Sequence, residues 1–179
     1  MGRRTVWTLI VAAALGATPL AADAQLANLT IEGFGGYQNL QPTLSSVSNA
    51  VSGSEGTGIV GADLLAGIGG FGVGALVDKT VSGNNGQPWT GSLLAGILLP
   101  IAIVRLELLG ELGRRGVDFG DIFNSKGQTI VGVRPGVSVH IPATALVLGA
   151  SGIVRWPTSG GDIGSPDLGI VARIGFGFF

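Results

Sequence analysis

The sequence predicts an all-β protein in which eight antiparallel strands close into an up-and-down barrel that crosses a membrane. Three observations lead to this prediction. Only 12% of the residues are charged, 33 of the 179 are glycine, and mean hydropathy is +0.54, whereas a soluble domain carries about 25% charged residues. Apolar and polar residues alternate along several segments of strand length. Short and long connections between these segments also alternate.

The N-terminal 24 residues are expected to be a secretory signal that is removed on export. Arg3 and Arg4 provide a positive start, and residues 6–15 form an apolar run too short to span a bilayer. Ala22 and Ala24 give the small-x-small pattern that signal peptidase accepts. An uncleaved N-terminal anchor is the alternative, but the apolar run does not continue past Ala24. The barrel is therefore expected to comprise residues 25–179.

Two apolar stretches could be interpreted as helices, but their composition argues against it. Residues 58–77 have the length of a membrane helix, yet they contain Asp63 and seven glycines, each of which costs about 1 kcal/mol in a helix. Residues 93–104 are too short to span, and Pro100 interrupts them. The alternation from Arg105 to Leu108 that follows is typical of a strand with one polar and one apolar face.

The mature chain divides into eight predicted strands, close to the 9–11 residues that a tilted membrane strand needs. They are residues 28–38, 58–68, 71–79, 89–99, 102–114, 128–140, 144–156 and 167–179. The short connections are 69–70, 100–101 and 141–143, and the long polar ones are 39–57, 80–88, 115–127 and 157–166. Membrane barrels have short periplasmic turns and longer external loops, so both termini are expected on the periplasmic side.

The alternation also predicts which side chains face the lumen. Lipid disfavours charge, so the apolar face should point outward. In the fifth strand Leu108 should face lipid and Leu109 the lumen, and Leu108→Arg should impair folding more than Leu109→Arg. The predicted lumenal charge cluster consists of Glu32, Asp63, Arg105, Glu107, Glu111, Arg134, Arg155 and Arg173. Eight strands leave a lumen just wide enough for side chains, so these four acids and four arginines should pair and plug it.

With these features the chain resembles the small eight-stranded outer-membrane barrels, the OmpA, OmpX and OmpW group. The resemblance covers residues 28–179 and rests on strand number, loop asymmetry, the inner charges and the C-terminal Phe179. It implies residence in a Gram-negative outer membrane, in contact with outer-membrane lipid and lipopolysaccharide. It also implies a C-terminal signal for the barrel-assembly machinery, formed by Ile174, Phe176, Phe178 and Phe179.

Composition excludes several other function classes. The formal net charge is −1, which offers nothing for nucleic acid to bind. The chain has no cysteine and one histidine, so neither a thiolate site nor a histidine metal site is expected. Residues 67–72 fit G-x-G-x-x-G, but a glycine-rich strand follows where a dinucleotide site needs a helix. We therefore expect no cofactor and no metal.

The expected function is that of a non-enzymatic outer-membrane barrel with a structural or surface-interaction role. A lipid-modifying enzyme is one alternative, because Ser138 and His140 share an inner face and Glu111 could supply an acid from across the barrel. A narrow pore is another, because rings of charge can select ions. A soluble lipocalin-like barrel would need polar residues on the outer face, where these strands carry Val, Leu and Ile.

The external side offers two further features. Tyr37, Trp89 and Trp156 are expected at the external ends of strands, where aromatic residues anchor barrels at headgroup depth. Residues 114–121 carry both signs of charge and are a candidate for binding a partner or a lipopolysaccharide phosphate. No loop motif specifies a protein partner.

Overall fold

The computed structural model describes residues 28–39, 56–81, 87–123, 127–159 and 162–178, without the side chains of residues 159 and 162. The predicted signal segment and Phe179 lie outside the described residues. Within the described ranges, no helix is both long enough and apolar enough to cross a membrane.

Nine strands and one short 3₁₀ helix make up the described chain. The strands are β1 (Asn28–Asn39), β2 (Gly56–Ile68), β3 (Phe71–Thr80), β4 (Trp89–Ile101), β5 (Val104–Gly116), β6 (Gln128–His140), β7 (Leu146–Ser159), β8 (Asp162–Ile163) and β9 (Asp167–Phe178). The helix η1 spans Phe119–Phe123, between β5 and β6. The two-residue β8 pairs only with the end of β7, so eight long strands form the main sheet.

The eight long strands close on themselves. Each pairs antiparallel with the next along the chain, β7 pairs with β9, and β9 pairs with β1 from Leu29↔Phe178 to Asn39↔Leu168. Closure leaves none of the eight with an unpaired edge. The predicted fold class, an all-β up-and-down barrel of eight antiparallel strands, is confirmed.

The first short turn lies where the sequence predicts it and the second does not. Gly69 and Gly70 join β2 to β3 with φ of 57° and 87°, and a two-residue hairpin with both central φ values positive is the type that matches strand twist. The second turn is shifted by two residues, because β4 continues through Pro100 to Ile101. Ala102, with φ of 55°, begins the actual turn.

Several strands extend further into the predicted external loops than expected, and the extensions of β5 and β7 include a charged residue and a proline. β5 ends at Gly116 and β7 at Ser159, so Arg115 and Pro157 are strand residues and their assignment to loops is wrong. β7 also starts later than predicted, at Leu146. Thr144 belongs to the turn, where its hydroxyl donates to the Ile141 carbonyl at 2.9 Å and accepts from the Leu146 N–H at 3.1 Å.

The exposure of side chains is inverted relative to a soluble domain. Apolar residues on the outer face are exposed, as in Leu93 at 67% and Leu108 at 53%, and the buried residues face the lumen. Two apolar clusters fill parts of that lumen. The first contains Leu65, Leu76, Leu94, Leu98 and Leu109, and the second contains Phe34, Ile59, Ile153 and Val171. Buried charged residues accompany them there.

Candidate functional site: the lumenal charge network

All eight residues of the predicted lumenal charge cluster lie inside the barrel, each at most 5% exposed. Strand alternation places them there. On β5, Arg105, Glu107 and Glu111 occupy alternate inner positions, while Leu106 and Leu108 point outward. The eight residues divide into three groups along the barrel axis, starting at the end that carries the short turns.

The first group joins three strands near the short turns. Arg173 on β9 contacts Glu32 on β1 at 2.9 Å and Glu107 on β5 at 2.7 Å through Nη1. Arg105 donates from Nε to Glu107 Oε1 at 2.9 Å and from Nη1 to the Thr30 hydroxyl at 3.1 Å. Glu107 is therefore the acceptor shared by both arginines.

Glycine makes room for this group. A Cβ added at Gly136 would lie 3.1 Å from Arg173 Nη2 and 3.2 Å from Glu107 Oε2, and one added at Gly149 would lie 3.1 Å from Arg173 Nη2. All three distances are shorter than ordinary contacts. The inner glycines of β6 and β7 therefore provide the space that the long charged side chains occupy.

A single ion pair forms the second group. Arg134 on β6 approaches Asp63 on β2, with Nη1 and Oδ2 2.9 Å apart. The carbon at the centre of its guanidinium lies 4.7 Å from the centroid of the Phe34 ring, within the range of a cation–π interaction. Arg134 thus contacts the charged and the apolar parts of the lumen together.

The third group surrounds Arg155, which is 0% exposed. Its Nη2 donates to Asp78 Oδ2 at 2.6 Å and its Nε to Glu111 Oε1 at 2.8 Å. The Ser92 hydroxyl also donates to Glu111 Oε1, at 2.7 Å. Asp78 is absent from the predicted cluster. Its inner position could have been inferred from Phe71 and Val73, because these apolar residues mark the outer face of β3 and Asp78 falls on the opposite face.

A fourth group, which consists of one ion pair near the long loops, was not predicted. Arg115 Nη1 donates to Asp167 Oδ2 at 2.6 Å, and both side chains are almost fully buried. The predicted balance of four acids and four arginines is therefore incomplete. The described lumen contains six buried acids and five buried arginines. Each of the eleven has an oppositely charged atom within 2.9 Å.

The serine considered for hydrolysis contacts a carboxylate other than the one the sequence suggested. The Ser138 hydroxyl is 0% exposed and donates to Glu107 Oε1 at 2.9 Å. His140 is half-buried at the end of β6, beside the short turn. Glu111 belongs to the group around Arg155, two inner positions further along β5 than Glu107. The serine is thus inaccessible to a substrate, and its hydrogen is directed to a carboxylate.

Metal coordination finds no support within the described ranges. These residues contain no group of three or more His, Asp or Glu side chains placed to hold a metal ion. The carboxylates of the lumen face guanidinium groups instead.

The predicted C-terminal signal lies on the outer face of β9. Ile174, Phe176 and Phe178 alternate with buried positions, and all three are exposed. Phe179 falls beyond the last described residue. The three visible members thus form an apolar row on the outer wall, next to β1.

The external ends of the strands carry the predicted aromatic residues. Tyr37 is exposed on β1, and Trp89 and Trp156 are half-buried on the outer faces of β4 and β7. Residues 114–121, predicted to form a solvated or partner-binding loop, instead include the last residues of β5 and the start of η1.

Comparison with solved structures identifies two barrels of similar shape. The crystal structure of neisserial surface protein A (NspA) aligns with a TM-score of 0.58 at 14% identity, covering 88% of this chain and 100% of that one. The solution structure of outer membrane protein H (OprH) from P. aeruginosa in DHPC micelles aligns at 0.41 and 19% identity, covering 85% and 99%. No protein-family model and no curated protein matches the sequence. The first likeness shows that the chain has the fold of small eight-stranded outer-membrane barrels, as its resemblance to that group implied.

Proposed function

We propose that the mature chain is a resident of the outer membrane of a Gram-negative bacterium, where it acts as a closed, non-enzymatic barrel with a structural or surface-interaction role. One observation carries the proposal. The wall is apolar on the outside, and all eleven buried charged residues of the described lumen are paired on the inside.

The exposed apolar side chains of the outer wall support the proposed residence in a membrane. Water solvates exposed leucine and phenylalanine poorly, whereas hydrocarbon accepts them. A lipid-embedded chain must also pair its backbone groups internally, and a closed barrel does so. The exposed row on β9 is the surface that we expect the barrel-assembly machinery to recognise.

The interior supports a plug rather than a channel. The pairs from Arg173 to Glu32 and Glu107, from Arg134 to Asp63, and from Arg155 to Asp78 connect strands that are mostly not neighbours in the sheet. Steady ion flow needs a continuous hydrated path, and eight strands leave little space beyond that of the side chains. The two apolar clusters also lie in the lumen.

Location and insertion can be tested first. Cells expressing the full chain are fractionated, the mature N-terminus is identified by mass spectrometry, and gel mobility is compared with and without heating. We expect cleavage before Gln25, recovery with the outer membrane, and a heat-dependent change in mobility. Recovery from the soluble periplasm without detergent would overturn the proposal.

The plug can be tested by conductance in planar bilayers. The wild-type protein should pass little or no steady current. Arg134→Glu places a second carboxylate beside Asp63 and should raise leakage or lower thermal stability. Lys79→Glu makes the same change in charge on the outer wall and should leave the conductance unchanged. A large, stable channel in the wild type would contradict a closed lumen.

A further inference from the structure

The helix η1 lies against the outer wall of the barrel. Ile122 is its buried residue, and a Cβ added at Gly91 would lie 2.6 Å from Ile122 Cγ2. Gly91 belongs to the outer face of β4, because Ser92 points inward to Glu111 and Leu93 is exposed on the outside. The segment after β5 is therefore held beside the wall, with Ile122 covering Gly91.

Three aromatic rings continue the apolar wall at this height. Trp89 is on the outer face of β4, one outward position beyond Gly91. The Phe119 ring lies edge-on to it with centroids 5.0 Å apart, and Phe123 lies 5.6 Å from Phe119. Phe119 is 49% exposed and Phe123 76%. Rings this exposed bury little apolar surface, so burial from water alone does not explain why they lie against the lipid-facing wall.

One cation contacts the rings, and a second lies on the outer face of the neighbouring strand β5. Lys79 is on the outer face of β3, in register with Trp89, and its Nζ lies 5.1 Å from the centroid of the Trp89 ring. Arg114 is on the outer face of β5, in register with Gly91, and donates from Nη2 to the Gly127 carbonyl at 3.0 Å. Aromatic rings with an adjoining cation suit the headgroup layer of a membrane, where one side is apolar and the other is wet and carries phosphate.

We propose that this rim surface, formed by Lys79, Trp89, Arg114, Phe119 and Phe123, binds the lipids of the outer leaflet. The proposal rests on the membrane residence proposed above. The three rings contact the glycerol and upper acyl region, and the two cations lie at the level of the lipid phosphates. The occupant is lipid because the rim surface is continuous with the exposed Leu93 below it, on the wall that faces hydrocarbon.

The proposal assigns a role to a segment that the sequence left as a loop. Asp118 and Asp121 are nearby, and the Asp118 N–H donates to Asp121 Oδ2 at 3.3 Å. This contact turns the chain back so that η1 can reach the wall. The β5–β6 connection is then fixed to the membrane surface beside the barrel.

The absence of cysteine from the chain allows clean site-directed spin labelling. Phe123→Cys is labelled with a nitroxide in the mature protein, which is folded into vesicles of phosphatidylcholine and phosphatidylglycerol. Power saturation then compares collisions with oxygen, which is concentrated in lipid, and with a water-soluble nickel chelate. Leu93→Cys reports the lipid-facing wall, and Pro142→Cys reports the exposed short turn.

We expect the oxygen-to-nickel ratio at Phe123 to lie between the two references, several-fold above that at Pro142. Gly91→Val, which displaces Ile122, should lower the ratio at Phe123 and leave that at Leu93 unchanged. A ratio at Phe123 equal to that at Pro142 would overturn the rim surface. So would shielding from both reagents, which would mean that protein covers it. Nickel access at Leu93 would instead refute membrane residence, so the two failures are distinguishable.

Discussion

Replacing Arg155 with Met tests whether the lumenal pairs hold the barrel together. The unbranched Met side chain fills part of the same space, but it removes the charge that lies 2.6 Å from Asp78 and 2.8 Å from Glu111. Two carboxylates then remain in the lumen without their cation. Breaking a buried ion pair by removing one partner costs about 3–5 kcal/mol, and we expect the free energy of unfolding to fall by that amount.

The loss should be largely reversible by neutralising the partners. In the triple variant Arg155→Met/Asp78→Asn/Glu111→Gln no uncompensated charge remains, so stability should return most of the way towards that of the wild type. The Ser92 hydroxyl keeps an acceptor there, because the new amide oxygen takes the place of the Glu111 carboxylate oxygen. The readout is urea unfolding in lipid vesicles, under conditions where folding and unfolding curves coincide.

Lys79→Met is the matched control, because it removes one cation from the outer wall. Exposed charged contacts contribute about 0–1 kcal/mol, and its midpoint should move little. The reasoning is refuted if Arg155→Met is no more damaging than Lys79→Met. It is also refuted if the triple variant is no more stable than Arg155→Met alone, since the uncompensated carboxylates would then not be the cause.

Two further predictions concern the wall and the turns. Leu108→Arg places a charge at mid-strand on the lipid face and should lower the free energy of unfolding by about 2–4 kcal/mol. Ile101→Arg lies beside the short turn and should lower it by only about 0–1 kcal/mol. Equal urea midpoints for the two variants would contradict the assigned depth. Ala102 occupies the left-handed region, so Ala102→Gly should preserve or raise the thermal midpoint, while Gly70→Ala should lower stability by about 1 kcal/mol. A lower midpoint for Ala102→Gly than for Gly70→Ala would show that backbone strain does not govern these turns.

The sequence best predicts which face of a strand points into the lumen where a charged residue marks that face. On β5, Arg105 and Glu107 fix the inner face for the whole strand, and Leu109 is inside as expected. Alternation does not reveal contacts, however. Leu109 packs in an apolar cluster and is in register with Arg134, so Leu109→Arg would add a cation beside another. That variant is therefore damaging too, and its comparison with Leu108→Arg no longer isolates the two faces.

The missed charges have different causes. Arg115 adjoins a long polar connection and is therefore assigned to a loop, whereas Asp167 is assigned correctly to the start of the eighth strand but is left out of the inner set. Asp78 lies on a strand rich in glycine and apolar residues, next to Lys79, so the charged pair does not by itself show which member points inward. The partners could not be derived either, because they depend on how far successive strands are staggered around the barrel.

The apolar clusters and paired charges of the lumen indicate which surfaces of the protein other molecules can reach. One apolar cluster lines the inner face of β2 to β5, the other joins β1, β2, β7 and β9, and the described charges are bound to one another. Because each of these arginines and carboxylates lies within 2.9 Å of an opposite charge, we propose that they are occupied by one another rather than by a substrate or an ion. A side chain can bind another molecule only if that molecule can reach it. Within the described chain, the accessible aromatic and charged groups on the outside include those at the rim around η1. We therefore expect the barrel to act on other molecules through its outer surface and loops, and we propose that its interior serves stability.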